Sequence, residues 1–222
     1  MSIIVPVLNE AERLMGALSL LSPLRDRGIE VIVVDGGSSD DTLRMESSLS
    51  DRLLQAPRGR ARQMNAGAAA SCGEVLLFLH ADTLLPSEAP EMVIDGLART
   101  GKVWGRFDVQ ITGESPILRL VAALMNLRSR LTGIATGDQA IFVRREDFFA
   151  VGGFPEQELM EDIEISRRLK RRSAPLCLRE PVITSGRRWE RNGIGRTILL
   201  MWRLRLLYWL GVSSERLARL YR

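Results

Sequence analysis

The sequence predicts an α/β fold: a Rossmann-like, doubly wound and mostly parallel sheet with flanking helices and a basic C-terminal helix. Two observations lead to this prediction. In the first part of the chain, short apolar runs alternate with segments whose apolar residues recur at helical spacing. The apolar run at residues 31–34 is β-branched throughout, as expected for a strand that is covered on both faces. Short connections between such units favour right-handed crossovers, and these make neighbouring strands parallel.

The predicted elements follow a regular order in the first half of the chain and a less regular one in the second. Strands are predicted at residues 3–7, 31–34, 53–54, 75–79, 103–111, 140–143 and 176–183. Helices are predicted at residues 10–21, 39–49, 61–70, 117–131, 161–172 and 194–210. Because no linker or internal repeat separates these elements, we expect residues 1–190 to form one domain and residues 191–222 to add a basic amphipathic helical extension.

The composition is that of a globular protein whose positive charge is concentrated at one end. Of its 222 residues, 45% are hydrophobic and 26% are charged, and the formal net charge is +4. Residues 187–222 contain nine arginines and two glutamates, which gives this segment a charge of +7. No apolar run reaches the ~18 residues of a membrane span, because arginines interrupt the longest one, at residues 194–212. Basic residues are not interleaved with aromatic ones, which argues against nucleic acid as a partner.

Localisation is indicated by the N-terminus and by the cysteines. The first apolar run has no basic segment before it, so we expect no signal peptide. Cys72 and Cys177 are far apart in apolar surroundings, and we expect two buried thiols in a reducing compartment rather than a disulfide. The sequence therefore predicts a cytoplasmic protein that is soluble or lies on the inner surface of a membrane.

Three polar clusters follow predicted strands at the point where each strand ends. Asn9 and Glu10 follow the first strand, residues 35–38 (Asp-Gly-Gly-Ser) follow the second, and residues 80–82 (His-Ala-Asp) follow the fourth. The carboxyl ends of parallel strands meet at one edge of a sheet, and ligands of such folds bind there. His80, the only histidine of the chain, is therefore expected to lie in a binding site beside Asp82.

The residues available for chemistry at such a site are mostly carboxylates and arginines. The sequence has neither a GxxxxGK[ST] loop nor a GxGxxG after its first strand, and no Cys/His spacing typical of zinc. Carboxylates that hold a divalent ion, with arginines that bind phosphate oxygens, form a nucleoside-diphosphate site without these motifs. The candidate carboxylates are Asp35, Asp82, Asp138, Glu161 and Asp162, and the candidate arginines are Arg58, Arg60, Arg62, Arg187 and Arg188.

The order and spacing of several motifs resemble those of a known family. The motifs are VPVLNE (residues 5–10), VVDGGSSDDT (33–42), GRARQMNAG (59–67), FLHADT (78–83), GDQ (137–139), GGF (152–154), ED (161–162) and RRW (187–189). Together they resemble the inverting family 2 glycosyltransferases of the GT-A fold, over nearly the whole chain as far as about Trp189. The resemblance implies a GT-A domain that moves a sugar from a UDP- or GDP-sugar to an acceptor hydroxyl group.

The resemblance also implies a role for each residue that stands in a motif position. Those implied to bind the nucleotide sugar are Pro6, Glu10, Asp35, Gly36, Arg60, Asn65, Ala81, Asp82 and Asp138. Among them, Pro6 and Glu10 border the nucleoside pocket and Asp35 contacts the base. Asp82 and His80 occupy the family's D-x-D place, where a carboxylate binds the Mg²⁺ or Mn²⁺ that bridges the two phosphates. Asp162 falls at the catalytic base, with Glu161 and Arg188 as further catalytic residues.

The chain departs from the family pattern at two positions, and several of the site residues also have a structural interpretation. His80 stands in place of the first Asp of D-x-D, and Ser185 stands in place of the Gln of Q-x-x-R-W. Asp35 and residues 137–139 fit ordinary turns, His80 fits a structural histidine, and residues 161–162 fit acids at a helix N-terminus.

Two other functions stay open at this point. One is a sugar-phosphate nucleotidyltransferase, and the other is a non-catalytic protein bound to a membrane surface. The helix at residues 194–210 either packs on the core or a second subunit, or lies on an anionic membrane that carries a lipid-linked acceptor.

Overall fold

The computed structural model describes residues 1–43 and 49–221, and an eight-stranded sheet runs through its centre. The strands are β1 (Ser2–Val7), β2 (Glu30–Asp35), β3 (Arg52–Gln55), β4 (Val75–Phe78), β5 (Thr83–Leu84), β6 (Trp104–Thr112), β7 (Phe142–Arg144) and β8 (Leu176–Ser185). Their order across the sheet is β3-β2-β1-β4-β7-β6-β8-β5. The pairs β2–β3, β1–β2, β1–β4 and β6–β8 are parallel, whereas β4–β7, β6–β7 and β5–β8 are antiparallel.

Helices cover both faces of this sheet. They are α1 (Ala11–Arg25), α2 (Arg60–Ala70), α3 (Ala89–Thr100), α4 (Ile117–Thr132), α5 (Arg145–Ala150), α6 (Glu161–Lys170), α7 (Arg187–Asn192), α8 (Ile194–Trp209) and α9 (Ser214–Tyr221). Successive residues of β1 point to opposite faces: Ile3 and Val5 pack with α1, α3 and α4, whereas Ile4 packs with α2, α5 and α6. The sheet is therefore a buried central layer, which confirms the predicted mostly parallel α/β fold.

A third apolar cluster joins the C-terminal helices to the start of α6. Leu204 of α8 and Leu217 of α9 are fully buried in a cluster with Met160 and Ile163. The helices that follow residue 190 are thus anchored beside the helix that begins with the predicted catalytic acids. Within the described residues, no helix combines the length and the apolar character that crossing a membrane requires.

The predicted helix at residues 39–49 is wrong where the structure describes it. Residues 39 and 40 are not helical, a short 3₁₀ turn follows at Asp41–Leu43, and residues 44–48 lie outside the described part of the chain. The Asp40 carboxylate explains the difference, since it accepts hydrogen bonds from the N–H groups of Thr42 at 3.1 Å and Ala11 at 3.2 Å. These bonds offer the backbone an alternative to the helix and hold the loop against α1.

The expectation of two buried thiols is also wrong. Cys72 is exposed and Cys177 is half-buried, and both are free. The apolar residues before Cys72 belong to α2, which ends at Ala70, so Cys72 itself lies in the loop before β4. There the Arg52 guanidinium donates a hydrogen bond to its sulfur at 3.4 Å.

Candidate active site

The ends of β1, β2 and β4 lie side by side at one edge of the sheet. β1 pairs with β2 on one side, where Val7 is opposite Asp35, and with β4 on the other, where Ile4 is opposite Phe78. The chain continues from β1 to β2 and β3 and then returns to β4 on the opposite side of β1. The switch point between β1 and β4 is the place where open α/β sheets bind ligands. The three polar clusters that follow these strands share this edge.

Asp35, at the end of β2, is fully buried and shapes the loop that follows it. Its carboxylate accepts hydrogen bonds from the N–H groups of Gly37 at 2.8 Å and Ser38 at 3.0 Å, and from the Ser38 hydroxyl. The Ser38 oxygen also accepts a hydrogen bond from the N–H group of Asn9 at 2.9 Å, which ties the loops after β1 and β2 together. The observed partners of Asp35 are therefore groups of its own loop, which it holds in place at the site edge.

The residues expected to border a nucleoside lie on either side of the end of β1. Pro6 is half-buried within the strand, opposite Val34. Glu10 is half-buried before α1, and its N–H group donates a hydrogen bond to the Thr42 hydroxyl at 3.2 Å. Gly36 donates its N–H to the Val7 carbonyl at 2.9 Å. Backbone contacts thus fix the two loops that frame this edge.

Two side chains of α2 fasten the same edge to the rest of the domain. The buried carboxamide of Gln63 donates hydrogen bonds to the carbonyl oxygens of Val7 at 2.7 Å and Val34 at 2.8 Å. Asn65 donates to the carbonyl oxygen of Phe154 at 2.8 Å and accepts from the N–H group of the same residue at 3.0 Å. Asn65 was expected to bind the nucleotide sugar, and its side-chain amide is hydrogen-bonded to the turn at residues 152–154. The role of Gln63 was not predicted, although a polar side chain on the core face of a helix is a signal that could have indicated it.

Glu161 and Asp162 begin α6 and form the acidic centre of the site. Nη1 of Arg60, the first residue of α2, lies 3.7 Å from the Glu161 carboxylate. The Asp162 carboxylate accepts hydrogen bonds from the N–H groups of Gly137 at 3.1 Å and Ile163 at 2.8 Å. The pKa of Asp162 is raised to about 6, first by burial and then by the charge of Glu161, while the two N–H groups and Arg60 lower it by less. A carboxylate of this pKa is ionised at neutral pH and is a stronger base than an ordinary aspartate.

His80 and Asp138 face each other beside these acids. Nδ1 of His80 lies 3.3 Å from a carboxylate oxygen of Asp138. Gly137 lies against the imidazole, where an added β-carbon would come within 2.6 Å of Nε2. Burial by itself raises the pKa of Asp138, but the hydrogen bond and charge of His80, with the charges of Arg60 and Arg188, hold that pKa below its ordinary value. The imidazole is thus fixed between a carboxylate and a glycine.

The last described helix brings an unpredicted residue, Tyr221, to the same site. The Arg188 guanidinium lies over the Tyr221 ring, 4.1 Å from its centroid. Burial raises the pKa of the Tyr221 phenol, Arg188 and Arg60 oppose the rise, and the charges of Asp138 and Asp162 add to it. The helical spacing of Leu217 and Tyr221 is a signal that could have placed both side chains on the inward face of α9.

Ala81 and Asp82 follow β4 at the same edge, and Asp82 is the predicted metal ligand. Ala81 is buried, whereas Asp82 is exposed and accepts a hydrogen bond from the Thr83 hydroxyl at 3.4 Å. Across residues 1–43 and 49–221, no three His, Cys, Asp or Glu side chains are grouped as ligands of a metal ion. His80, the second predicted ligand, faces Asp138. An exposed single carboxylate nevertheless fits Mg²⁺, which proteins commonly hold with one or two carboxylates, substrate phosphates and water.

A narrow pocket lies at the centre of the acidic groups. It is lined by Arg60, Met64, Phe78, His80, Gly137, Ile141, Phe154, Glu161 and Asp162. The structure therefore brings six predicted residues into one cluster: Arg60, His80, Asp138, Glu161, Asp162 and Arg188. The other candidate arginines, Arg58, Arg62 and Arg187, are exposed, and Arg62 pairs with Glu156 at 3.2 Å.

Comparison with known sequences finds a matching family profile and similar relatives. The profile of Glycosyl transferase family 2 matches residues 2–151. The poly-beta-1,6-N-acetyl-D-glucosamine synthase of Staphylococcus aureus (strain COL) is 26% identical over 180 residues, which cover 72% of this chain and 43% of the synthase. This chain therefore spans less than half the length of that relative.

Solved structures of similar fold include complexes with nucleotide sugars. The S. aureus TarS 1–349 structure in complex with UDP-GlcNAc has a TM-score of 0.65 and 17% identity, over 83% of this chain and 58% of that one. Mannosyltransferase PcManGT from Pyrobaculum calidifontis, in complex with GDP-Man and Mn²⁺, has a TM-score of 0.61 and 21% identity, over 83% of this chain and 55% of that one. At these identities the likeness shows the fold, which is GT-A.

Proposed function

Because this chain belongs to glycosyl transferase family 2 and is a glycosyltransferase of the GT-A fold, we propose that it transfers a sugar from a nucleoside-diphosphate donor to an acceptor hydroxyl group with inversion. Family membership supports this activity over the two alternatives that the sequence left open. A nucleotidyltransferase would form the sugar nucleotide instead of consuming it, and a non-catalytic membrane protein would need no base in a pocket.

The observation that carries the proposal is the Asp162 carboxylate, whose pKa of about 6 and position in a narrow pocket suit a general base. In a single displacement, the acceptor hydroxyl oxygen attacks the anomeric carbon and the bond from that carbon to the diphosphate oxygen breaks. The hydroxyl proton passes to Asp162. Because the acceptor attacks from the face opposite the leaving group, the anomeric configuration inverts.

Two arginines border the acidic pair whose second member, Asp162, receives this proton. Arg60 offsets the charge of Glu161, so that the neighbouring Asp162 still ionises near neutral pH. The Arg60 side chain is 53% exposed, so solvent weakens this ion pair and leaves the guanidinium accessible to a donor phosphate. Arg188 is exposed on α7 and is the second candidate for binding the donor diphosphate.

The donor in this proposal lies across the ends of β1, β2 and β4. TarS binds UDP-GlcNAc and PcManGT binds GDP-Man with Mn²⁺, and both support a UDP- or GDP-sugar as donor here. Asp82 would hold Mg²⁺ or Mn²⁺ together with the diphosphate. Such an ion, when bound, neutralises charge on the leaving nucleoside diphosphate.

We further propose that the enzyme works on the cytoplasmic face of a membrane, where α8 lies on anionic lipid and the acceptor is lipid-linked. Trp202 is 66% exposed and Trp209 is 71% exposed, so this chain's own core does not cover them. They belong to a line of exposed apolar residues, called here the α8 stripe: Leu199, Trp202, Leu206, Trp209 and Leu210. Tryptophan, leucine and arginine on one exposed helix are typical of an interfacial helix.

A transferase assay tests the reaction. The purified enzyme is given UDP-GlcNAc or GDP-mannose with Mn²⁺ and an octyl glycoside, a lipid-like acceptor whose sugar carries free hydroxyl groups. Released nucleoside diphosphate and the anomeric configuration of the product are measured. We expect release of the diphosphate and an inverted product. A product of retained configuration contradicts the single displacement, and pyrophosphate formed from a nucleoside triphosphate and a sugar phosphate identifies a nucleotidyltransferase.

Vesicle co-sedimentation tests the membrane proposal separately. The protein is mixed with phosphatidylcholine vesicles, with or without phosphatidylglycerol, at low and high salt. We expect sedimentation with the anionic vesicles that weakens as salt screens the arginines. Protein that stays in the supernatant under all four conditions rules out this membrane association.

A further inference from the structure

Helix α4 exposes a second apolar stripe, on a helix that the proposed function does not use. Five side chains form it, called here the α4 stripe: Ile117, Leu120, Leu124, Leu127 and Leu131. Their exposed fractions run from 51% to 77%. They recur at intervals of three and four residues, so they line one side of the helix along its whole length. Isolated exposed leucines are ordinary, but a continuous line of five marks an interaction surface.

The α4 stripe is additional to the face with which α4 packs on the sheet. Leu118, Val121 and Ala122 of α4 are buried in the cluster on that side of the sheet. The buried face of α4 is therefore formed by other residues than those of the stripe.

The two stripes belong to helices that pack against a common apolar cluster. Ile194 and Ile198 of α8 pack against the cluster that contains Leu118 and Val121 of α4. Ile134, which follows α4 closely, packs with Leu204 of α8 in the cluster beside α6. Both helices thus pack on one apolar cluster, and the segment after α4 packs against α8, so the two stripes lie on neighbouring parts of the protein.

The charges on the two helices identify the partner. Neither helix contains an acidic residue, and the acids nearest to them in sequence, Glu114 and Glu190, precede them. The exposed arginines are Arg119 in α4 and Arg196 and Arg203 in α8. Of the others in α4, Arg130 is paired with Asp108 at 2.6 Å and two guanidinium nitrogens of Arg128 are buried. In a second copy of this chain, these helices would meet like charges. An anionic lipid surface offers acyl chains to the leucines and opposite charge to the arginines.

We propose that α4 and α8 together form a two-helix docking surface for an anionic membrane, in which the α4 stripe enters the lipid beside the α8 stripe. The inference rests on the proposed membrane association and adds a second contact that fixes how the enzyme is oriented. Ile163 packs with Leu204 of α8, so α8 lies beside the turn of α6 that carries Asp162. A hydroxyl group carried on a lipid then reaches the base from the membrane side.

Three double variants test the contribution of α4 by vesicle co-sedimentation. The α4 variant is Leu120→Glu/Leu127→Glu, and the α8 variant is Trp202→Glu/Trp209→Glu. The matched control, Leu53→Glu/Phe149→Glu, changes exposed apolar residues on β3 and on α5, which packs on the other face of the sheet. Because all six side chains are exposed, we expect melting temperatures close to that of the unchanged protein. If the α4 variant does not fold, Leu120→Gln/Leu127→Gln replaces it.

We expect the α4 variant to bind vesicles of phosphatidylcholine and phosphatidylglycerol at least about tenfold more weakly, and the control to bind within about twofold of the unchanged protein. If only the α8 variant loses binding, the inference about α4 is overturned while membrane association stands. If the unchanged protein binds no vesicles, the membrane proposal fails and this inference with it. A dimer by light scattering that the α4 variant converts to a monomer, with vesicle binding unchanged, identifies a second copy as the partner and overturns the inference.

Discussion

The imidazole of His80 and the carboxylate of Asp138 are in contact, with Nδ1 and Oδ1 3.3 Å apart. His80 follows β4, and Asp138 lies in the 3₁₀ turn Gly137–Gln139, so the contact joins two loops across the site. The same turn supplies the Gly137 N–H group that binds Asp162. One turn therefore positions both the imidazole and the proposed base, and its geometry is open to test.

Gly137→Ala is expected to displace His80, because the new β-carbon would lie 2.5 Å from its Cε1 atom. The turn must then shift, and the hydrogen bond from residue 137 to Asp162 shifts with it. We expect kcat/KM for the donor to fall at least about tenfold, since small misplacements of catalytic groups are costly. Gly16→Ala is the control, because its β-carbon would meet open space within α1 and should leave kcat/KM unchanged. If Gly137→Ala lowers kcat/KM by the same factor in a His80→Ala background as in the unchanged protein, the clash with His80 is not the cause.

Asp162→Asn is expected to lower kcat at least about 100-fold and to leave donor affinity nearly intact, as loss of a positioned base does. With Asp162 present, kcat should rise with pH through about 6, because the ionised carboxylate is the active form. The variant should lack this rise. Glu164→Gln on the same helix is the control. A variant that loses donor affinity and keeps its rate at saturation shows that Asp162 binds substrate instead.

Asp162→Asn is also expected to stabilise the fold at neutral pH. Folding raises the pKa of Asp162 from 3.8 to about 6, so the folded state holds this proton more tightly than the unfolded state does. The stability due to this group is present below the unfolded value and is lost as pH rises through the folded one. Between pH 4 and pH 8, the melting temperature of the variant should therefore increase relative to that of the unchanged protein as the pH rises. A constant difference across this range contradicts the raised pKa.

Tyr221→Ala is expected to reduce kcat/KM by about 2- to 30-fold, the effect of losing a cation–π contact of roughly 0.5–2 kcal/mol with Arg188. Tyr221→Phe keeps the ring and should stay close to the unchanged enzyme. If both variants are equally impaired, the hydroxyl group is what matters, and the ring contact with Arg188 is not the explanation.

Asp82→Asn is expected to remove the effect of metal on donor binding. A nucleoside diphosphate that binds only the folded state raises its melting temperature, and Mn²⁺ should increase this rise. The variant should keep the metal-independent part of the rise and lose the increment from Mn²⁺. Asp95→Asn, an exposed acid on α3, is the control. An increment that survives in the Asp82 variant shows that other residues hold the ion.

The sequence predicted the strands that frame the site because a strand that is buried on both faces consists almost entirely of apolar residues. β1, β2 and β4 are buried almost throughout, so their sequences are continuous apolar runs that polar residues end abruptly. The convergence of the three clusters then follows from parallel pairing alone. The contact of Arg60 with Glu161 could not be predicted in this way, because no local sequence pattern indicates that α2 and α6 begin beside each other.

Other elements escaped prediction for physical reasons. β5 has two residues and is held by pairing with β8, which no local pattern shows. Within α3, Gly96 lowers helix propensity, but a β-carbon there would lie 2.6 Å from Leu176, so packing against β8 favours the glycine. The role of Asp35 within its loop depends on the positions of Gly37 and Ser38, which a motif does not specify.

The hydrogen bonds of Gln63 make it a natural spectroscopic probe of this protein. Its side-chain nitrogen is shared between the carbonyl oxygens of Val7 and Val34, at the ends of two strands that frame the donor edge. An amide held in this way exchanges with solvent far more slowly than an exposed one. In a nitrogen-edited NMR spectrum, its two proton resonances would persist in deuterated water and would shift when a ligand moves either strand end. Donor recognition could then be followed without labelling the ligand and without a known acceptor.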